Sequence, residues 1–215
     1  MKIFRSSPKE QQGFTIVELM IATLIFSVIL LIVTMGILQI TRVYFKGVTE
    51  ANTQNTARSV IDTVSQAIQF SGGPVTPTAG SGTPSSPKAF CVGDQRFSYD
   101  TGWQLEDGSP DNTKHQAFHT LVMDTFANCN QSTPQGLGQQ AVSGRELLSP
   151  HMRLANIQVS NVGTNLYRVT VRVVYGDDDL LTNPTGTDAS CKGISAGTQF
   201  CSVSELSTVV VKRVQ

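Results

Sequence analysis

Gly13-Phe14-Thr15-Ile16-Val17-Glu18-Leu19 opens the stretch that decides the architecture, because from Leu19 to Thr41 no charged residue follows. The 23 residues of that run would span roughly 35 Å as a helix, enough to cross a ~30 Å hydrocarbon core. On its amino side, residues 1–12 are polar and carry Lys2, Arg5 and Lys9 against Glu10. Basic residues ahead of an apolar segment stay cytoplasmic, which puts the C-terminal part of the chain on the far side of the membrane. A secretory signal has a shorter apolar core followed by a small-residue cleavage site. Here Gly13 precedes the run instead. A plain signal anchor would account for the charges and the length but not for Glu18. An ionisable group at the edge of an apolar helix is costly without a partner, so it is a functional candidate by default.

The sequence Gly13-Phe14-Thr15-Ile16-Val17-Glu18-Leu19 with its apolar continuation resembles the class III signal of type IV pilins and type II secretion pseudopilins. The resemblance implies that residues 1–13 are a leader, cut between Gly13 and Phe14 by a membrane prepilin peptidase that also methylates the new Phe14 amine. It implies that Glu18 is the carboxylate that guides subunit docking. The chemistry fits, since Glu18 would lie one helical turn below the amine of Phe14, or reach that of a neighbouring subunit. Such a pair attracts far more strongly in a low-dielectric setting than in water.

Beyond Thr41, Arg42 and Lys46 end the uncharged run, and Val60, Ile61, Val64, Ala67 and Ile68 recur at helical spacing. Residues 14–41 therefore read as a transmembrane or filament-core half of one helix and residues 42–70 as an amphipathic half. Ser71-Gly72-Gly73-Pro74 ends it. Gly36 and Gly47 inside the helix are either simply tolerated or mark a point of melting during transfer from membrane to filament.

Residues 71–215 read as a loop-rich β-sheet head. Residues 89–99 are a candidate strand, and residues 116–126 are ambiguous between helix and strand. The strongest β signal is residues 166–175, where Tyr167, Val169, Val171, Val173 and Tyr175 alternate with Arg168, Thr170 and Arg172. Residues 154–160 and 203–213 are further candidates, and residues 161–165 form a natural hairpin loop between the first and the best strand. Three or four antiparallel strands packed on the amphipathic helix give an α+β class, the pilin arrangement. Cys91, Cys129, Cys191 and Cys201 all follow the apolar run, and an even number in an exported domain suggests disulfides. Of the three connectivities we favour Cys91–Cys129 and Cys191–Cys201; four free thiols are the plain alternative. Leu147-Leu148-Ser149-Pro150, the paired strands and the late cysteine loop look most like PilW-type minor pilins, with the J-type pseudopilin close in kind.

Lys+Arg and Asp+Glu both number 16, so a nucleic-acid role, which usually needs a basic excess, is disfavoured without being excluded. His115 and His119, four apart, would share a helix face and could form a zinc site with Cys91 or Cys129, but no CxxC or HExxH supports it, and they read as exposed loop residues. Asp177, Asp178 and Asp179 are a weak calcium candidate that lacks an EF-hand pattern, and a solvated acidic turn is the better reading. Phe97, Tyr99 and Trp103 are either an adhesive aromatic surface or core filler. No nucleophile elbow, P-loop or paired carboxylates stand out. The expectation is a minor pilin without enzymatic activity or cofactor, in the inner (cytoplasmic) membrane and then in a pilus or periplasmic pseudopilus. Its expected partners are the prepilin peptidase/methyltransferase, other major and minor pilins, the inner-membrane assembly platform and lipid. The alternatives are a type II secretion pseudopilin or a filament-displayed adhesin or DNA-uptake module.

Overall fold

A computed structural model describes residues 13–83, 85–193 and 197–214; the basic residues Lys2, Arg5 and Lys9 of the expected leader lie outside them. One helix, α1, runs Ile16–Phe70. It starts two residues after Phe14 because Thr15 is its N-cap: the Thr15 hydroxyl accepts from Glu18 N–H at 3.2 Å. The chain divides into two units between Arg42 and Val43.

In the first unit every described side chain is exposed. Beyond Thr15, the four hydroxyls of this segment are bonded back onto their own helix: Thr23 to Met20 O (3.0 Å), Ser27 to Leu24 O (2.8 Å), Thr34 to Leu30 O (2.7 Å) and Thr41 to Ile37 O (2.9 Å). A helix that satisfies its backbone internally and its hydroxyls locally suits lipid, and the one carboxamide of the run, Gln39, lies close to its end.

In the second unit α1 buries Thr49, Thr53, Ala57, Val60, Ile61, Val64 and Ile68. The apolar stripe expected over residues 60–68 is thus extended toward the N-terminus by small residues, and Thr53 Oγ1 satisfies itself on Thr49 O at 2.8 Å. The helix ends where Ser71-Gly72-Gly73-Pro74 crosses the turn between β1 (Lys88–Val92) and β2 (Gln95–Tyr99). A Cβ on Gly73 would stand 2.6 Å from Gly93 Cα, and Gly93 itself has φ +59°, so the crossing needs glycine on both sides.

Residues 89–99, read as one strand, are this hairpin instead, because Gly93 supplies the left-handed turn. The ambiguous residues 116–126 are strand: β4 (Gln116–Ala117) and β5 (Leu121–Thr125), following the short β3 (Gln104–Leu105). Of these, β5 joins β6 (Arg145–Glu146) to complete a four-stranded sheet of order β1-β2-β5-β6. The second sheet has order β11-β8-β7-β3-β4, built on β7 (Met152–Gly163), β8 (Leu166–Tyr175) and β11 (Ser202–Val211). The β7–β8 turn is tighter than the expected five-residue loop, because Asn165 adopts φ +57° and lets pairing continue to Gly163↔Leu166. A two-stranded ribbon pairs β9 (Leu181–Thr182) with β10 (Ser190–Cys191).

Phe90, Phe97, Tyr99, Leu121, Leu154, Val169, Val171 and Val173 meet the helix stripe in one core. Phe97 and Tyr99 are fully buried, and Phe97 stacks on Phe90 with centroids 4.7 Å apart. The reading of these rings as an adhesive surface is therefore overturned: alternation along β2 turns them inward, and only Trp103 remains half-exposed. The opposite face of the four-stranded sheet is covered by the loop after β5. Cys129 of that loop is bonded to Cys91, Arg96 donates to Thr133 O at 2.9 Å, and Ser98 Oγ accepts from Gln135 N–H at 2.8 Å. The second bond, Cys191–Cys201, closes a loop over a smaller cluster of Ala155, Val174, Leu181 and Ala189.

Candidate functional site

The site read from the sequence is the first turn of α1. Thr15 N–H and Thr15 Oγ1 both donate to Glu18 Oε2, each at 2.9 Å, while Glu18 N–H donates to Thr15 Oγ1 at 3.2 Å. This reciprocal arrangement is a capping box: it satisfies helix N–H groups that have no intrahelical acceptor and places a negative charge at the positive end of the helix dipole. Thr15 was missed in the sequence, although the signal, Thr followed by Glu three residues on, was present. Phe14 is 88% exposed, and among the described residues a Cβ on Gly13 would meet nothing within 4 Å, so none of them shields the backbone at residues 13–14 from an enzyme.

Residues 8–34 match the family model described as the prokaryotic N-terminal methylation motif. The chain carries a type IV pilin-like N-terminal motif. The match covers Gly13, Phe14 and Glu18 together with most of the apolar run, and it indicates processing by a prepilin peptidase and is consistent with membrane anchoring through the same helix. Neither a curated protein nor a solved structure matches the chain.

The head domain holds the other residues singled out from sequence, and there the geometry is structural. Asp178 reaches the fully buried Arg153 at 2.7 Å and His115 Nδ1 at 2.6 Å. Asp177 Oδ1 accepts from Gln104 Nε2 at 3.0 Å, and the Asp179 carbonyl takes the Lys192 ammonium at 2.7 Å. The acidic turn is thus tied down at Asp178, while Asp177 and Asp179 stay exposed to solvent. The three aspartates line a cleft of about 360 Å³ with Gln104, Thr113, Lys114 and Gln116, in which only the Asp178 carboxylate meets a buried guanidinium, that of Arg153. Among the described residues no group of three or more His, Cys, Asp or Glu is arranged to hold a metal. His115 and His119, expected to be exposed, are half-buried and tethered. His119 Nδ1 stands 3.5 Å from Glu146, whose carboxylate raises the histidine's pKa above its ordinary value.

Two residues of this region had no sequence signal. Arg153 donates to Gly102 O, Pro184 O and Gly176 O at 3.0–3.2 Å and so ties three separate loops together. Glu146 accepts four backbone N–H groups, from Thr120, Leu121, Leu147 and Leu148, at 3.0–3.2 Å. The acceptors of Arg153, and the Thr120 and Leu121 amides held by Glu146, are distant in sequence, and no local pattern encodes them.

Proposed function

We propose that this chain is a minor pilin that is incorporated into, or primes, a type IV pilus. The single observation that carries the reading is the methylation motif at residues 8–34, set on a helix whose first turn holds Glu18 beside an exposed Gly13–Phe14 bond. Prepilin peptidase cuts between Gly13 and Phe14, and the new amine of Phe14 is methylated. Residues 14–41 hold the subunit in the inner membrane and then form the buried core of the filament. Glu18 pairs with a Phe14 amine, its own or a neighbour's, and so sets the register in which subunits dock. Other pilins and the assembly platform are its partners, and assembly is its whole activity, with no catalysis of its own.

Intact-mass and N-terminal analysis of the native membrane fraction, with and without prepilin peptidase, tests this. A chain beginning at Phe14 and carrying one added methyl group is expected. Retention of residues 1–13 in peptidase-positive cells would sink the pilin reading. The same features serve a minor pseudopilin of a type II secretion system. A deletion strain that loses surface pili favours the first, and one that loses secretion favours the second.

A further inference from the structure

Phe200 belongs to the Cys191–Cys201 loop, yet its ring is 43% exposed and lies 5.7 Å from the ring of Phe45 on α1. Phe45 in turn meets Tyr44 edge-on at 6.0 Å, and these two rings are 42% and 66% exposed. The loop is fastened to the helix at this level by Lys46, whose ammonium donates to the Cys201 carbonyl at 2.6 Å and pairs with Glu50 at 3.3 Å. Three aromatic rings from segments 155 residues apart thus share one exposed patch. The other exposed ring among the described residues beyond the helix, Phe126, has a local reason, since Arg96 lies 4.2 Å above it.

What covers the aromatic patch follows from the chain itself. The uncharged run ends at Thr41, and Tyr44 and Phe45 follow within four residues. Covalent reach alone keeps them within ~14 Å of Thr41, and helical rise within about 6 Å, the depth of one headgroup layer. Aromatic rings favour that layer because their apolar body and polarisable face suit the boundary between acyl chains and water. We propose that Tyr44, Phe45 and Phe200 form a lipid-interface contact, and that the Cys191–Cys201 loop exists in part to hold Phe200 in it. The subunit then waits for assembly with one edge of its head resting on the outer leaflet. The inference rests on the membrane-anchored reading above.

The test uses the full chain reconstituted at low density in phosphatidylcholine/phosphatidylglycerol vesicles. Trp103, the only tryptophan, is replaced by Phe, and single tryptophans are placed as F200W or F26W. Lipids brominated near the headgroup or near the chain ends act as quenchers. The expected result is F26W quenched by the deep bromine and F200W quenched about twofold by the shallow one. Replacing both Cys191 and Cys201 by Ser should abolish most of the F200W quenching while F45W keeps its own. F26W quenched with F200W indifferent to bromine would overturn the lipid contact alone. Neither quenched would overturn membrane anchoring and the inference with it. Shielding of F200W that appears only at high protein density would assign the patch to a second copy, and F200W quenching unchanged without the disulfide would remove the loop's role.

Discussion

Thr15 and Glu18 hold each other at the head of α1, with two donors from Thr15 on Glu18 Oε2 and the Glu18 amide on the Thr15 hydroxyl. Glu18 therefore has a local task, capping, beside the docking task proposed for its charge. The two are separable. Thr15→Val removes the hydroxyl and with it two of the three bonds, which should cost about 0.5–2 kcal/mol of helix-end stability. Faster amide exchange over the first turn, with filament incorporation reduced but present, is expected. Glu18→Gln keeps an acceptor for the Thr15 amide and loses only the charge. It should leave processing at Gly13–Phe14 and first-turn exchange near wild type while the protein disappears from sheared filaments. Normal incorporation of Glu18→Gln would show that the carboxylate's charge is not used in docking.

Arg153 is fully buried and its charge is met by Asp178 at 2.7 Å and by three carbonyls. Removing one side of such an arrangement strands the other, so Arg153→Ala should destabilise the head by about 3–5 kcal/mol in denaturant unfolding. Arg153→Lys should recover only part of this, because one ammonium cannot reach acceptors that a planar guanidinium spans. The same occupancy speaks to the acidic triplet: with Asp178 and Asp177 already bonded, added Ca²⁺ should leave Tm unchanged. A rise in Tm with Ca²⁺ would show that the ion binds the triplet in spite of these contacts.

What could be read from the sequence divides along the range of the interactions. The helix, its stripe at Val60, Ile61, Val64 and Ile68, and β8 at Leu166–Tyr175 are written in periodicity and were legible. The inward turn of Phe97 and Tyr99 was not, because it depends on Gly93 breaking residues 89–99 into a hairpin. The pairing of Arg153 with Asp178 and of Phe45 with Phe200 joins residues that share no local pattern. The Thr15 cap was local and could have been found from its spacing to Glu18.

One helix serves two environments, and equivalent truncations should report the difference. Ile68 is fully buried in the main core, whereas Leu31 is 61% exposed. Ile68→Ala should cost the head about 2–5 kcal/mol through lost burial and the cavity left behind. Leu31→Ala, measured in detergent by the near-ultraviolet signal of the head, should fall within about 0.5 kcal/mol of wild type. A comparable loss from both would mean that the head's folding depends on the apolar half of the helix.

Asp100 is fully buried, and neither of its carboxylate oxygens has a hydrogen-bond partner among the described residues. Its amide donates to Thr120 O at 2.9 Å, and Thr120 N–H is held by Glu146 at 3.0 Å. Burial, and then the negative charge of Glu146, push the Asp100 pKa well above the ordinary carboxylate value. The native state therefore keeps a proton that the unfolded chain releases near pH ~4. Stability from this group is complete below that point and declines as pH rises toward the native pKa. His119, also raised by Glu146, adds a second decline that begins near its unfolded pKa of about 6.5. Asp100→Asn keeps the shape without an ionisable proton. It should flatten the slope of stability above about pH 4 and raise Tm near pH ~8 by roughly 2–4 °C, on the order of 1 kcal/mol for a domain of this size. Thermal melts of the two proteins across pH isolate the difference. Parallel pH profiles for wild type and Asp100→Asn would show that Asp100 ionises as freely in the native state as in the unfolded one.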